Sequence, residues 1–254
     1  MEEFAKYILN EDDLVSKIEI IYFLAPKLGI NFDKSIVFKT EIARMFLKYT
    51  KVKVDHNFIL TACLLCNCKK VDDAQKIGKL RTYAKEGAKH LAQLGFDEKF
   101  CKTCEGVNRY SEIEQRELES DILELVDTFG GMLIDRPERV GFNPDEAMVL
   151  IEHRNLKGQY NRYLEMFRDF VIEMEKIEIH GAVNTTVFAR LQKLMRESKN
   201  ITVFAKKIAL EYSPLVDKKL DELEGNETSS IKQPNRALFS AESEERILNT
   251  IKQS

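Results

Sequence analysis

Apolar residues return at three- and four-residue steps through most of the chain, the spacing that lines one face of an α-helix. Leu14, Ile18, Ile21, Tyr22, Ala25 and Leu28 predict a helix over residues 12–28 that stops at Gly29. Val37, Ile42, Phe46 and Leu47 predict the next, over 36–49, and residues 58–65 are apolar on nearly every side, as a central buried helix must be. Residues 79–95 hold the cleanest period, Leu80, Tyr83, Gly87, Ala88, Leu91 and Leu94, ending at Gly95. Phe100, Cys104 and Val107 continue as a shorter helix. Leu118, Ile122, Leu125, Val126, Phe129, Met132 and Leu133 then predict a long inward-facing stripe with Asp127 as the lone acid on a mostly apolar surface. Pro137 and the residue before it end that helix. The next begins with Asn143 as N-cap, Pro144 in the first turn, and Asp145 and Glu146 supplying the negative charge that helix N-termini favour.

After the apolar run 160–179 the pattern changes. Val187, Leu191, Leu194 and Met195 make one stripe, and Phe204, Ile208, Leu215, Val216, Leu220 and Leu223 make others, interrupted near Pro214. Residues 184–223 therefore predict an appended helical hairpin. Residues 224–237 are polar with Gly, Ser and Pro, the composition of a flexible linker. In 238–254, Ile247, Leu248 and Ile251 share one face under an acidic first turn. Such a short terminal helix needs a partner surface, on its own domain or on another protein. Residues 1–35 are expected to pack an N-terminal helix on the core.

Composition narrows the class. With 11 Gly and 5 Pro against 32% charged residues in 254, the amphipathic runs point to an all-α protein. Lys and Arg number 39 against 42 Asp and Glu, so bulk charge argues for neither a nucleic-acid partner nor an acidic membrane surface. No uninterrupted apolar stretch approaches about 18 residues, and the opening Met1-Glu2-Glu3 is unlike a secretory signal, so the expectation is a soluble cytoplasmic protein. Five cysteines, an odd number, read as reduced thiols. Cys63, Cys66 and Cys68 cluster, and Cys101 and Cys104 form a second pair, but both groups sit within helical apolar patterns that favour burial. His56, His90, His153 and His180 form no pair at helical spacing, so none is expected to be a ligand.

Three short runs resemble a known family. Ile122-Leu123-Glu124-Leu125-Val126-Asp127, then Asp135-Arg136-Pro137-Glu138-Arg139, then Asn143-Pro144-Asp145-Glu146-Ala147-Met148, are similar to the second half of the HD-GYP bacterial phosphohydrolases. That family's pattern reads roughly I-L-x-V-A-D, D-R-P-Y-R and S-P-E-E-A-L. The resemblance covers about 36–179 and implies an HD-domain-like helical bundle over 36–183. It also implies where metal ligands should stand, and this chain fills those places otherwise. Phe38 stands at the first His, in Phe38-Lys39-Thr40-Glu41-Ile42-Ala43, and Cys66 and Asn67 replace the His-Asp pair that Lys70 still follows. Tyr83 replaces another His, and Gly106-Val107-Asn108-Arg109 replaces the His-His-Glu-Arg motif.

Only Asp127 remains of the implied ligand set, and one carboxylate cannot hold a divalent ion or activate its water. The expectation is a degenerate, non-catalytic regulatory or interaction protein without a resident cofactor. Its implied ligand-binding residues are Lys70, Arg109, Asp127, Arg136 and Arg139, facing a phosphorylated or cyclic dinucleotide ligand. A competing expectation has Arg136 and Arg139 cap the preceding helix and pair with Asp135 or Glu138. The alternative is a phosphohydrolase whose Cys66, Cys104 and Asp127 converge on Zn or Fe. Expected partners are another protein or a signalling nucleotide, with a homodimer as a further candidate.

Overall fold

Asp13, Asp33, Asp55 and Asp97 each accept a hydrogen bond from a backbone N–H two or three residues on, and each opens a helix. Every such cap satisfies a donor that the helix leaves without a partner, worth about 1 kcal/mol. The computed structural model describes residues 2–70, 77–108, 116–137, 139–156, 160–179 and 185–227. Within them the fold is all-α. The order is α1 (Glu2–Asn10), α2 (Leu14–Leu28), α3 (Lys34–Thr50), α4 (His56–Leu65), α5 (Ile77–Gln93) and α6 (Glu98–Glu105). There follow α7 (Leu118–Leu133), α8 (Pro144–Leu156), α9 (Leu164–Lys176), α10 (Val187–Glu197), α11 (Ile201–Lys207) and α12 (Ser213–Glu227). Glu178–Ile179 and Thr185–Thr186 pair as a two-residue antiparallel ladder before α10.

The α2 helix stops as its sequence predicts. Gly29 takes φ 63°, a left-handed conformation that glycine adopts without steric cost, and its N–H returns to Ala25 O. Asn143 and Glu146 cap α8 reciprocally, Glu146 N–H on Asn143 Oδ1 at 2.8 Å and Asn143 N–H on Glu146 Oε2 at 3.2 Å.

The α3 helix lies at the centre of the helical packing. It packs against α4, α7, α9, α10, α11 and α12, and its buried residues include Lys39, Thr40 and Glu41 besides the apolar ones. The predicted stripe understated this burial because charged residues interrupt it. Around α3 lies a cluster of phenylalanines, with Phe46 against Phe167 at 5.1 Å and Phe129 against Phe188 at 5.2 Å between ring centroids. Edge-on geometry of this kind adds to what burial of the rings contributes. The apolar core is continuous from α1 through α12.

Several expectations are corrected. Leu118 at the start of α7 is 48% exposed and does not join the inward stripe. The helix ends at Leu133, short of Pro137, and Arg136 and Arg139 pair their backbones in a tight turn beyond that end. Within the 184–223 stretch, α10 and the run from α11 to α12 form two helical arms joined at 198–200, without the expected interruption near Pro214. A π-helical turn, Ile208–Tyr212, carries the helix from α11 directly into α12, and Pro214 follows that turn without interrupting it. These helices lie on the core: Tyr212 donates from its hydroxyl to Val187 O at 3.1 Å, and Arg44 of α3 bonds Asp217 of α12 at 2.8 Å. Leu215 is 47% exposed rather than part of a buried stripe. Residues 224–227, expected as linker, are helical; the remainder of that stretch and the predicted terminal helix over 238–254 lie outside the described residues.

Candidate functional site

The inner face of α7 buries acids at successive three-residue steps: Asp121, Glu124 and Asp127. Asp127 is thus not the only acid there. Asp121 and Glu124 belong to a framework of their own. Arg116 reaches Asp121 at 3.3 Å and Glu124 at 2.8 Å, Arg162 meets Asp121 at 2.7 Å, and Asn161 donates to Asp121 O at 2.9 Å. These bonds tie α7 to the chain before it and to the start of α9.

Asp127 sits differently. Its Oδ1 accepts from Lys39 Nζ at 2.8 Å and from Asn67 Nδ2 at 2.7 Å, and its Oδ2 accepts from Lys70 Nζ at 2.9 Å. Lys39 comes from α3; Asn67 and Lys70 come from the turn after α4. Burial pushes the Asp127 carboxyl up, but the ammonium groups of Lys39 and Lys70 outweigh it and hold the group well below the usual carboxylate range. The cluster is therefore an anion between two cations. Asn67 must turn its amide N–H toward this carboxylate, which leaves its buried Oδ1 without a donor in the described structure.

Backbone geometry makes the contact. Lys39 crosses α7 directly over Gly130, where an added Cβ would stand 2.7 Å from Lys39 Cγ. Only glycine lets the lysine stem lie that close.

Beside the cluster opens a cleft of about 630 Å³, lined by Lys34, Lys39, Asn67, Lys70, Arg136 and Arg196 among others. Basic side chains outnumber the acids lining it, Asp33 and Asp135. Lys34 is engaged with Met195 O and Ser198 O, each at 2.9 Å, and Arg196 lies 3.6 Å from Asp135. A second space of about 430 Å³ adjoins it, lined by Tyr83, Asp127, Thr128, Met132, Phe142 and Leu150 among others. Lys70 Nζ stands 5.1 Å over the Tyr83 ring at the boundary.

The expected site residues divide accordingly. Lys70, Asp127, Arg136 and Arg139 all border these spaces. Arg139 does what the capping expectation required, donating to Gly131 O at 2.9 Å and Met132 O at 3.0 Å at the end of α7. Asp135, however, accepts from Gly141 N–H and faces Arg196. Arg109 lies outside the described residues, as do Glu138 and His180. Sequence reasoning missed Lys39, because the resemblance directed attention to Phe38, which is fully buried in the core. A basic residue inside an otherwise enclosed helix was the available signal.

The alternative metal triad of Cys66, Cys104 and Asp127 is not assembled. Among the described residues no three His, Cys, Asp or Glu side chains are placed to hold an ion together. Cys66 Sγ turns to Cys63 O at 3.7 Å, and burial, with Asp127 nearby, raises its thiol well above the ordinary range. The donor set around Asp127 does not fit a divalent cation either, since its neighbours are an amide and two ammonium groups. Tyr83 is a buried phenol, raised by burial and then by Asp127. His90 is satisfied, its Nε2 lying 2.7 Å from Leu28 O.

No family model, no curated protein and no solved structure matches the chain.

Proposed function

We propose that this protein is a non-catalytic regulatory or interaction module, built on a degenerate HD-GYP-like helical domain, that binds a phosphorylated or cyclic dinucleotide ligand without hydrolysing it. One observation carries the reading: Asp127 is compensated by two lysine ammonium groups, Lys39 and Lys70, at 2.8 and 2.9 Å. A carboxylate so engaged offers no open coordination to a metal ion. Two cations against one anion leave excess positive charge at the edge of an open cleft, and Arg136 adds a planar guanidinium suited to phosphate. The family resemblance supplies the expectation of nucleotide chemistry; the cleft's charge and size are consistent with it. A signalling role in a bacterial cytoplasm follows from the resemblance alone.

Elemental analysis of the purified chain, a phosphodiesterase assay and calorimetry with a cyclic dinucleotide test the proposal together. The expected result is no stoichiometric transition metal, no turnover, and binding that weakens as salt rises. Stoichiometric metal with chelator-sensitive turnover would sink it.

A further inference from the structure

The cleft of about 630 Å³ has two kinds of wall. Lys34, Lys39, Lys70, Arg136 and Arg196 line it against two acids, Asp33 and Asp135, and Asp127 offsets only part of the difference. At the border with the adjoining space, which Lys70, Gly131 and Arg136 share, Arg136 is exposed, and among the described residues no hydrogen bond or ion pair holds its guanidinium. The other wall is apolar. Phe32, Ile134 and Met195 line the cleft half-buried, each packed on the core. A small anion that covers the cations leaves this wall in water.

The chain carries a segment that complements both walls. Residues 228–254 lie outside the described residues, and within them Ile247, Leu248 and Ile251 recur at helical spacing. Glu244 falls one turn earlier on the same face, with Glu242 and Glu245 beside it. The distance is within reach. Because Ser213, Asp217 and Asp221 meet Glu41, Arg44 and Lys48 in turn, α12 runs in the same direction as α3. Its end therefore lies about 27 Å along that axis from the level of Ile36. Residues 228–241, extended, span up to about 45 Å.

We infer that residues 242–251 dock as a helix in this cleft, their acidic turn against Lys70 and Arg136 and their apolar face against Phe32, Ile134 and Met195. The segment then competes with a phosphorylated ligand for the same cations, so this adds regulation to the site proposed above and rests on the anion reading of it. Three carboxylates meet an excess of cations, and three aliphatic side chains cover the wall that a phosphate leaves bare. Acidic residues also suit the N-terminus of the helix they open. Too short to be stable alone, that helix gains its stability from the cleft.

The chain has no tryptophan, so Ile251→Trp in the full chain places a single indole at the docking face. Its emission is expected to be blue-shifted at every protein concentration, and to move to the red when Met195→Glu puts a charge in the apolar wall. Because Met195→Glu could disturb folding, Glu242→Lys, Glu244→Lys and Glu245→Lys together provide a second reading on the segment itself. They are expected to give the same red shift and, by calorimetry, to tighten binding of inorganic phosphate at least fivefold. An emission already that of exposed indole, or one that neither change moves, overturns the docking and leaves the anion reading standing. A blue shift that appears only as protein concentration rises assigns the segment to a second copy and overturns docking within the chain. Equal phosphate affinity with and without the three lysines overturns the competition. Absence of phosphate binding in all these proteins overturns the anion reading, while the emission still decides the docking.

Discussion

Lys39 Nζ and Asp127 Oδ1 meet at 2.8 Å although 88 residues separate them in sequence, and this pair joins the central α3 to the helix that borders both clefts. Removing one partner of a buried ion pair leaves the other charge uncompensated, typically at about 3–5 kcal/mol. Lys39→Met is expected near the lower end, because Lys70 and Asn67 still serve the carboxylate. Asp127→Asn is expected to cost more, since it strands two ammonium groups. Urea unfolding of both variants measures the order, and a larger loss for Lys39→Met would contradict this arrangement of charges.

Acid should separate wild type from Asp127→Asn in a defined direction. The folded carboxyl is held below its unfolded value of about 3.9, so its contribution is fully present above that pH and is lost as pH falls toward the folded value. The stability gap between the two proteins is therefore expected to be constant near neutrality and to shrink below about pH 4. A gap that does not change between about pH 6 and pH 3 would count against the cluster as described.

Lys17 makes the opposite kind of prediction. It is buried, donating to Asn57 Oδ1 and to Thr61 Oγ1 at 2.6 Å, and burial lowers its ammonium to about 8 despite Asp12, Glu11 and Asp55 nearby. A folded pKa below the unfolded value means that the charged form opposes folding, so stability is expected to rise as pH goes from about 8 to about 10.5. Lys17→Met is expected to abolish that rise and to be at least as stable as wild type at pH 7. Thermal melts across this range decide it.

Adjacent glycines on α7 should respond in opposite ways to alanine. At Gly130 the new Cβ would press on Lys39 Cγ at 2.7 Å, and the stem cannot swing aside while Asp127 holds its end. Gly130→Ala is expected to destabilise. At Gly131 the nearest atoms are 3.7 Å away, an ordinary contact, and alanine should gain up to about 1 kcal/mol of helix propensity. Chemical denaturation of the pair provides the comparison.

The cysteines should be slow to react in the native state. All five are buried, and burial raises Cys101 to about 11 and Cys68 to about 12. Thiol titration without denaturant is expected to be slow for every cysteine and to become complete on unfolding. Rapid labelling at neutral pH would contradict the burial.

How much of this was legible beforehand varies by element. The helices over 14–28, 34–50 and 118–133 were readable because each repeats its apolar residues at the helical period. Asp127 was legible as an acid out of place on an apolar face. Of its partners, Lys70 was singled out only through the resemblance, and Lys39 looks like an ordinary solvated lysine in a chain with 39 basic residues. Arg44, whose guanidinium holds Glu41 and reaches Asp217, 173 residues further on, was equally hidden. Leu118 and Leu215 fit their stripes yet lie exposed at helix starts, because periodicity assigns a face without saying whether a neighbour covers it.

The sequence by itself determined most of the helical segments and that the chain is all-α. Those are local properties, set by the period of apolar residues and by capping side chains within a few positions. Tertiary structure alone decided that α3 would be enclosed despite its charges, that Lys39 and Lys70 would converge on Asp127, and that two spaces would meet at Gly131. These depend on how distant helices stack, and a buried charge is acceptable only where that stacking delivers its counter-charge.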